Sequence, residues 1–89
     1  MDQSTANSAL LTEILDLGEQ MLLRGAEVGR VEDTITRILR AQGASRVDVF
    51  TITSSIVVTA HWPEGPVTQT RRISGIQYDM TALTRLNAL

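Results

Sequence analysis

The sequence contains neither cysteine nor lysine, and each absence removes a class of functional site. Without cysteine there is no disulfide framework, no thiolate nucleophile and no cysteine zinc site. Without lysine there is no Schiff-base amine and no P-loop lysine to bind phosphate. Because His61 is the only histidine, carboxylates are almost the only metal ligands left. We therefore expect neither a metal nor another cofactor.

The chain also has no net positive charge and no long apolar run, and its aromatic residues are scarce. The net charge is −2, so no basic surface is expected for binding nucleic acid. The longest aliphatic runs fall far short of the roughly 20 apolar residues that span a bilayer. Aromatic residues are 3% of the chain, which predicts an aliphatic core. With 89 residues, the chain has room for one small domain.

Two helical patterns occupy the first half of the chain. Apolar residues recur at spacings of three and four from Leu10 to Met21, which predicts a helix from about Ser8 to Arg24. Gly25 suits a left-handed helix stop. A second apolar stripe, from Val28 to Leu39, predicts another helix that ends at Gly43. Since the connection is so short, the two helices should pack as an antiparallel hairpin.

The second half predicts strands followed by a helix. A run rich in β-branched residues divides into strands from Arg46 to Thr53 and from Ser55 to Trp62. The sequence "PEGP" predicts a turn before an edge strand from Val67 to Ile73. Helical spacing returns from Asp79 to Leu89. The predicted fold is α+β, in the order α-α-β-β-β-α, with the helical hairpin and a C-terminal helix packed on a three-stranded, mainly antiparallel sheet.

These elements define the expected domain organisation. Residues 1–7 are polar and predict a disordered tail, and residues 8–89 predict a single soluble domain. The chain ends on leucine with no helix-capping signal, which indicates truncation before a further region.

The second helix carries a stripe of charged and polar side chains. Glu27 with Arg30, and Asp33 with Arg37, have the spacing of ion pairs worth about 0.2 to 0.5 kcal/mol each. Such a stripe, which also includes Thr34, is more often a solvated helix face than a functional site.

Two residues of this helix need a further explanation. Glu32 lies at the border of the apolar stripe, where a carboxylate needs a partner or a raised pKa. Gly29 lies inside the helix, where glycine costs about 1 kcal/mol relative to alanine. A close approach of another helix or of a ligand to the backbone would explain it, and helix packing is the more frequent cause.

A hydroxyl-rich strand junction offers weak catalytic candidates. Ser54 could be a nucleophile, and Glu27 or Glu32 could assist it, but a serine nucleophile needs a base. His61 lies at the far end of the second strand, so a Ser-His-acid site has little support.

The segment from Leu17 to Ala60, together with a later strand from Thr70 to Ile73, resembles the N-terminal soluble domain of the threonine/serine exporter family, and the resemblance covers nearly the whole chain. Its motif "GAEVGRVEDT" carries most of the resemblance, and "TIT" replaces the "TPT" found in many members. The polar residues that match the family pattern are Glu27, Arg30, Glu32, Thr34, Thr53 and Arg72.

This resemblance implies a part of an integral membrane exporter that precedes its transmembrane region. We expect a domain on the cytoplasmic side of the cell membrane, with a role in regulation, assembly or substrate delivery. Its partners would be the transmembrane region of the same polypeptide or a partner membrane subunit. A second copy of the chain and a small amino acid or dicarboxylate are further expected partners.

Two other functions are left open by the sequence. One is a small hydrolase that uses a serine or threonine at the strand junction, although an enzyme is the less favoured interpretation. The other is a structural dimerisation module. The three hypotheses share the same predicted fold, so the fold alone does not separate them.

Overall fold

The computed structural model describes residues 3–52 and 54–74. It contains two helices followed by three strands, which confirms the predicted α+β class. The elements are α1 (Gln3–Leu23), α2 (Val28–Ala41), β1 (Arg46–Ile52), β2 (Ser55–Trp62) and β3 (Gly65–Arg72). The predicted C-terminal helix and Thr53 lie outside the described residues.

The two helices join at a tight corner. Gly25 has a φ of +89°, as predicted for a left-handed helix stop. The N–H of Gly25 donates to the carbonyl of Leu22 at 3.0 Å, and the N–H of Ala26 donates to that of Met21 at 3.0 Å. These bonds satisfy carbonyls at the end of α1 that have no partner within the helix.

The N-terminal end of α1 differs from the prediction. The helix begins at Gln3 and not at Ser8, so residues 3–7 do not form the expected tail. The physical reason is that the buried side chain of Asn7 bonds to a residue distant in sequence. It accepts a hydrogen bond from the Gln3 side chain at 3.0 Å and donates one to the carboxylate of Glu64 at 3.2 Å. Glu64 lies in the β2–β3 turn, so the apolar periodicity of α1 could not predict this contact.

The sheet is antiparallel, with the strand order β1-β2-β3. Successive side chains of β2 point to opposite sides of the sheet, and its buried side chains face the helices. These side chains are Ile56, Val58, Ala60 and Trp62. The side chains between them, with their neighbours in β1 and β3, form the opposite side of the sheet, which we call the outer face. Neither described helix covers it.

The core lies between the helical hairpin and the inner side of the sheet. Leu11 and Leu15 of α1 and Ile35 of α2 are buried in one cluster with Ile56. Gly18 permits this approach, since a Cβ at that position would lie 3.1 Å from Cδ1 of Ile35 and 3.2 Å from Cδ1 of Ile56.

Gly29 does not have the role expected of it. A Cβ at this position would meet none of the described atoms within 4 Å, so the predicted helix packing is wrong. The close approach of helices occurs at Gly18 instead, because that residue lies on the buried side of α1.

Candidate functional site

Glu32 connects α2 to the edge strand β1. Its Oε2 accepts a hydrogen bond of 3.0 Å from the backbone N–H of Thr51. Because β1 is the first strand of the sheet, such an N–H would otherwise be unpaired at a sheet edge. The bond therefore supplies the partner that a carboxylate at the border of the apolar stripe requires.

The side chain of Thr51 lies at the same junction. Its Oγ1 is buried and has no hydrogen-bond partner among the residues that the structure describes. A buried hydroxyl without a partner costs about 1 to 3 kcal/mol. At the α2–β1 junction, the carboxylate of Glu32 is therefore hydrogen-bonded, whereas the hydroxyl of Thr51 has no partner among the described residues.

Ser54 is not brought together with a catalytic base. Its carbonyl accepts the N–H of Ile73 at 2.6 Å, and in the described chain its hydroxyl makes no hydrogen bond with Glu27, Glu32 or His61. His61 lies six residues along β2 from Ser55, which is about 20 Å in an extended strand. The described part of the chain also contains no enclosed pocket beside Ser54.

His61 lies on the outer face, near the end of the central strand. Its Nε2 is 3.8 Å from Oδ2 of Asp48, which also lies 3.2 Å from Nε of Arg46. All three side chains are at least one third exposed. The three side chains therefore form a solvent-exposed ion cluster at the end of the sheet furthest from Ser54.

Glu27 and Arg30 are both exposed at the start of α2. Glu27 is the N-cap residue, with φ −68° and ψ 145°, and its side chain makes no capping bond. The predicted pair with Arg30 is not formed among the described residues, and Glu27 lies just before the first helical residue, Val28. Within the described chain, neither side chain makes a hydrogen bond or an ion pair.

Two apolar side chains lie beside these charges. Leu23 is 42% exposed and Val28 is 44% exposed, one on either side of the helix corner. We call this region the corner surface. It consists of Leu23, Arg24, Glu27, Val28 and Arg30.

The other polar side chains of α2 and Arg72 of β3 make only local contacts or are exposed to solvent. Thr34 donates through Oγ1 to the carbonyl of Arg30 at 2.9 Å. Asp33 and Arg37 form the predicted ion pair at 3.0 Å, with both side chains largely exposed. Arg72 is exposed on the outer face. None of these contacts assembles a reactive group.

Arg71 makes an ion cluster that sequence reasoning did not find. Its Nη1 lies 2.6 Å from Oδ1 of Asp16 and 2.9 Å from Oε1 of Glu19. The hydrogen bond that Arg71 donates to Asp16, followed by the one that it donates to Glu19, raises the pKa of the Arg71 guanidinium above its usual range. The partners are more than 50 residues apart, so local spacing carries no signal for them.

Two further properties concern the described part of the chain as a whole. It contains no group of three or more histidine, aspartate or glutamate side chains that could hold a metal ion. Of its helices, neither has the length and apolarity of a candidate membrane span.

Comparison with known proteins gives one match. The family model described as "Putative threonine/serine exporter" (ThrE) matches residues 13–89, which is well over half of the chain. No curated protein and no solved structure matches this chain. The match begins within α1 and includes α2, all three strands and the residues of the corner surface. The chain therefore belongs to the threonine/serine exporter family.

Proposed function

We propose that this domain contributes to the assembly of a threonine/serine exporter on the cytoplasmic side of the cell membrane, with the corner surface as its contact to the membrane-embedded part. The observation that carries the proposal is the exposure of Glu27 and Arg30. Both residues belong to the motif by which the chain resembles the family, and neither side chain is engaged within the described fold.

The composition of the corner surface suits a protein contact. Leu23 and Val28 supply exposed apolar area near the helix corner, and Glu27 and Arg30 supply exposed charges of both signs near the same corner. Interfaces commonly combine an apolar centre with a polar rim, and charges at the rim steer and align the partner. Arginine is also better suited than lysine to a directional contact with a carboxylate.

The proposal assigns no chemistry to the domain. Substrate transfer would belong to the membrane-embedded part, either in the same polypeptide or in a partner subunit. The small-hydrolase alternative requires a nucleophile and a base within hydrogen-bond reach. Since Ser54 has no such neighbour among the described residues, we favour the assembly role.

Site-specific photocrosslinking in the intact exporter tests this contact. A photoreactive amino acid at position 27 or 30 should give crosslinked peptides from the membrane-embedded part, identified by mass spectrometry. The same amino acid at Arg40 is the matched control, because Arg40 is exposed near the opposite end of the same helix. Equal crosslinking at all three positions, or none at 27 and 30, would contradict the proposal.

A further inference from the structure

The outer face of the sheet carries an apolar patch that the described elements leave uncovered. Phe50 is 57% exposed and Ile52 is 61% exposed. Val57 lies beside them, because it pairs with Phe50 in the β1–β2 register. The opposite end of the outer face holds the ion cluster of Arg46, Asp48 and His61, so the apolar patch occupies only one end of the sheet.

The chain leaves the sheet at that same end. Arg72 pairs with Ser55, which in turn pairs with Ile52, so these three residues form the last row of the sheet. The N–H of Ile73 then donates to the carbonyl of Ser54, which holds the exit point beside this row. Residues that follow Ser74 therefore start next to the apolar patch.

Residues 76–89 have the sequence required to cover the patch. Ile76, Met80, Leu83 and Leu86 recur at spacings of four, three and three, which is the stripe of an amphipathic helix. A helix of that length would measure about 20 Å. A strand of eight residues measures about 26 Å, so the segment would cover most of the length of the sheet. The family match includes this segment, since it runs to residue 89.

We propose that residues 76–89 pack as a helix across the outer face, with their apolar stripe on Phe50, Ile52 and Val57. The domain then has three layers, with the helical hairpin on one side of the sheet and this segment on the other. This arrangement removes the exposed apolar patch without using the corner surface, so it does not depend on the proposed function.

A second copy of the chain fits the patch less well than this segment. Three strands spaced by about 4.8 Å give an outer face of about 350 Å². A stable interface usually buries about 800 Å² on each partner. A tethered segment needs far less area, because a short linker gives it an effective concentration in the millimolar range.

Chemical crosslinking in the full chain tests the proposal, and the absence of native cysteine makes the labelling unambiguous. Leu83→Cys combined with Val57→Cys should give an intramolecular product with a short bismaleimide. Leu83→Cys combined with Gln20→Cys is the matched control. Gln20 is exposed and follows Glu19, which binds Arg71, so it lies at a similar distance from the chain exit but on the helical side.

The result expected is a product at least tenfold more abundant for position 57 than for position 20. Equal products at both positions, no product at either, or a product that links two chains would each overturn the proposal. The last of these outcomes would favour the second copy as the occupant.

A second measurement uses the unmodified chain and does not depend on the folding of cysteine variants. Phe50 is the only phenylalanine, so its ring protons are readily assigned by NMR. The proposal predicts nuclear Overhauser contacts between this ring and the methyl groups of Met80, Leu83 or Leu86. A ring with no contact to any of these methyl groups would contradict it.

Discussion

Glu32 and Thr51 show how a single side chain can complete the edge of a sheet. The carboxylate of Glu32 extends from α2 and accepts the backbone N–H of Thr51 at 3.0 Å. Free edges of sheets invite pairing with other chains, and charged side chains near an edge discourage it. The position of Glu32 beside the apolar stripe thus has a structural cause.

We expect Glu32→Ala to lower the free energy of unfolding by about 1 to 2 kcal/mol, because hydrogen bonds to charged groups contribute about 1.5 to 3 kcal/mol and Glu32 is partly exposed. Amide hydrogen exchange at Thr51 should also become faster. Urea denaturation and exchange measured by NMR check both effects. Asp33→Ala is the matched control, since its ion pair is exposed. Unchanged exchange at Thr51 in Glu32→Ala would show that the bond is unimportant.

The sequence located Glu32 as a residue that needs a partner but did not identify the partner. Spacing along a helix reports only neighbours within that helix, so it predicted the Asp33–Arg37 pair and not a bond to β1. The same rule wrongly paired Glu27 with Arg30, because α2 begins at Val28.

The contact between α1 and β3 joins two elements by polar side chains. Gln69 of β3 donates to the carbonyl of Ser8 at 2.7 Å and accepts from Thr12 at 3.1 Å. One step further along, Arg71 binds Asp16 and Glu19. Each partner on α1 is more than 50 residues away in the chain. These bonds therefore fix α1 over an edge strand whose own side chains are mostly polar.

We expect Arg71→Gln to lower the free energy of unfolding by about 0.5 to 1 kcal/mol, because Asp16 and Glu19 would lose their shared cation at a partly exposed site. The loss should shrink as salt is added. Chemical denaturation at low and high salt checks this. Arg72→Gln, on the opposite face of the same strand, should have little effect. An equal loss in both variants would contradict a specific role for the Asp16–Glu19 cluster.

The pH dependence of this contact follows from the direction of the pKa shift. Because the pKa of Arg71 is raised in the folded state, its stabilisation is complete below the unfolded-state pKa. It would be lost only as the pH rises through the folded-state pKa, in strongly alkaline solution. Acidification therefore leaves the charge of Arg71 unchanged.

Element types were more predictable than element ends. The predicted strands from Arg46 and from Ser55 both start where the structure places them. The run of β-branched residues indicated the strands, although the break between them lacks the glycine or asparagine that usually marks a turn. The third strand starts two residues before the predicted Val67, since Gly65 already pairs with Trp62. The start of α1 at Gln3 depends on Asn7 and Glu64, which only the folded chain brings together.

At the scale of the whole molecule, the described fold has two surfaces of different character. The outer face carries an apolar patch next to the chain exit, and the corner surface carries unengaged charges beside Leu23 and Val28. The α+β class and the family were predictable from apolar periodicity and from the "GAEVGRVEDT" motif. The exposure of these two surfaces was not predictable from the sequence, because it depends on how the helical hairpin packs on the sheet.

Export of threonine or serine by cells tests the assembly role most directly. In the intact exporter, Glu27→Gln combined with Arg30→Gln should reduce the efflux of labelled amino acid at least fivefold, with unchanged protein abundance and folding. Asp33→Asn combined with Arg37→Gln removes a similar exposed pair from the same helix and should leave efflux near that of the native protein. Native efflux in the Glu27 and Arg30 variant would contradict the account.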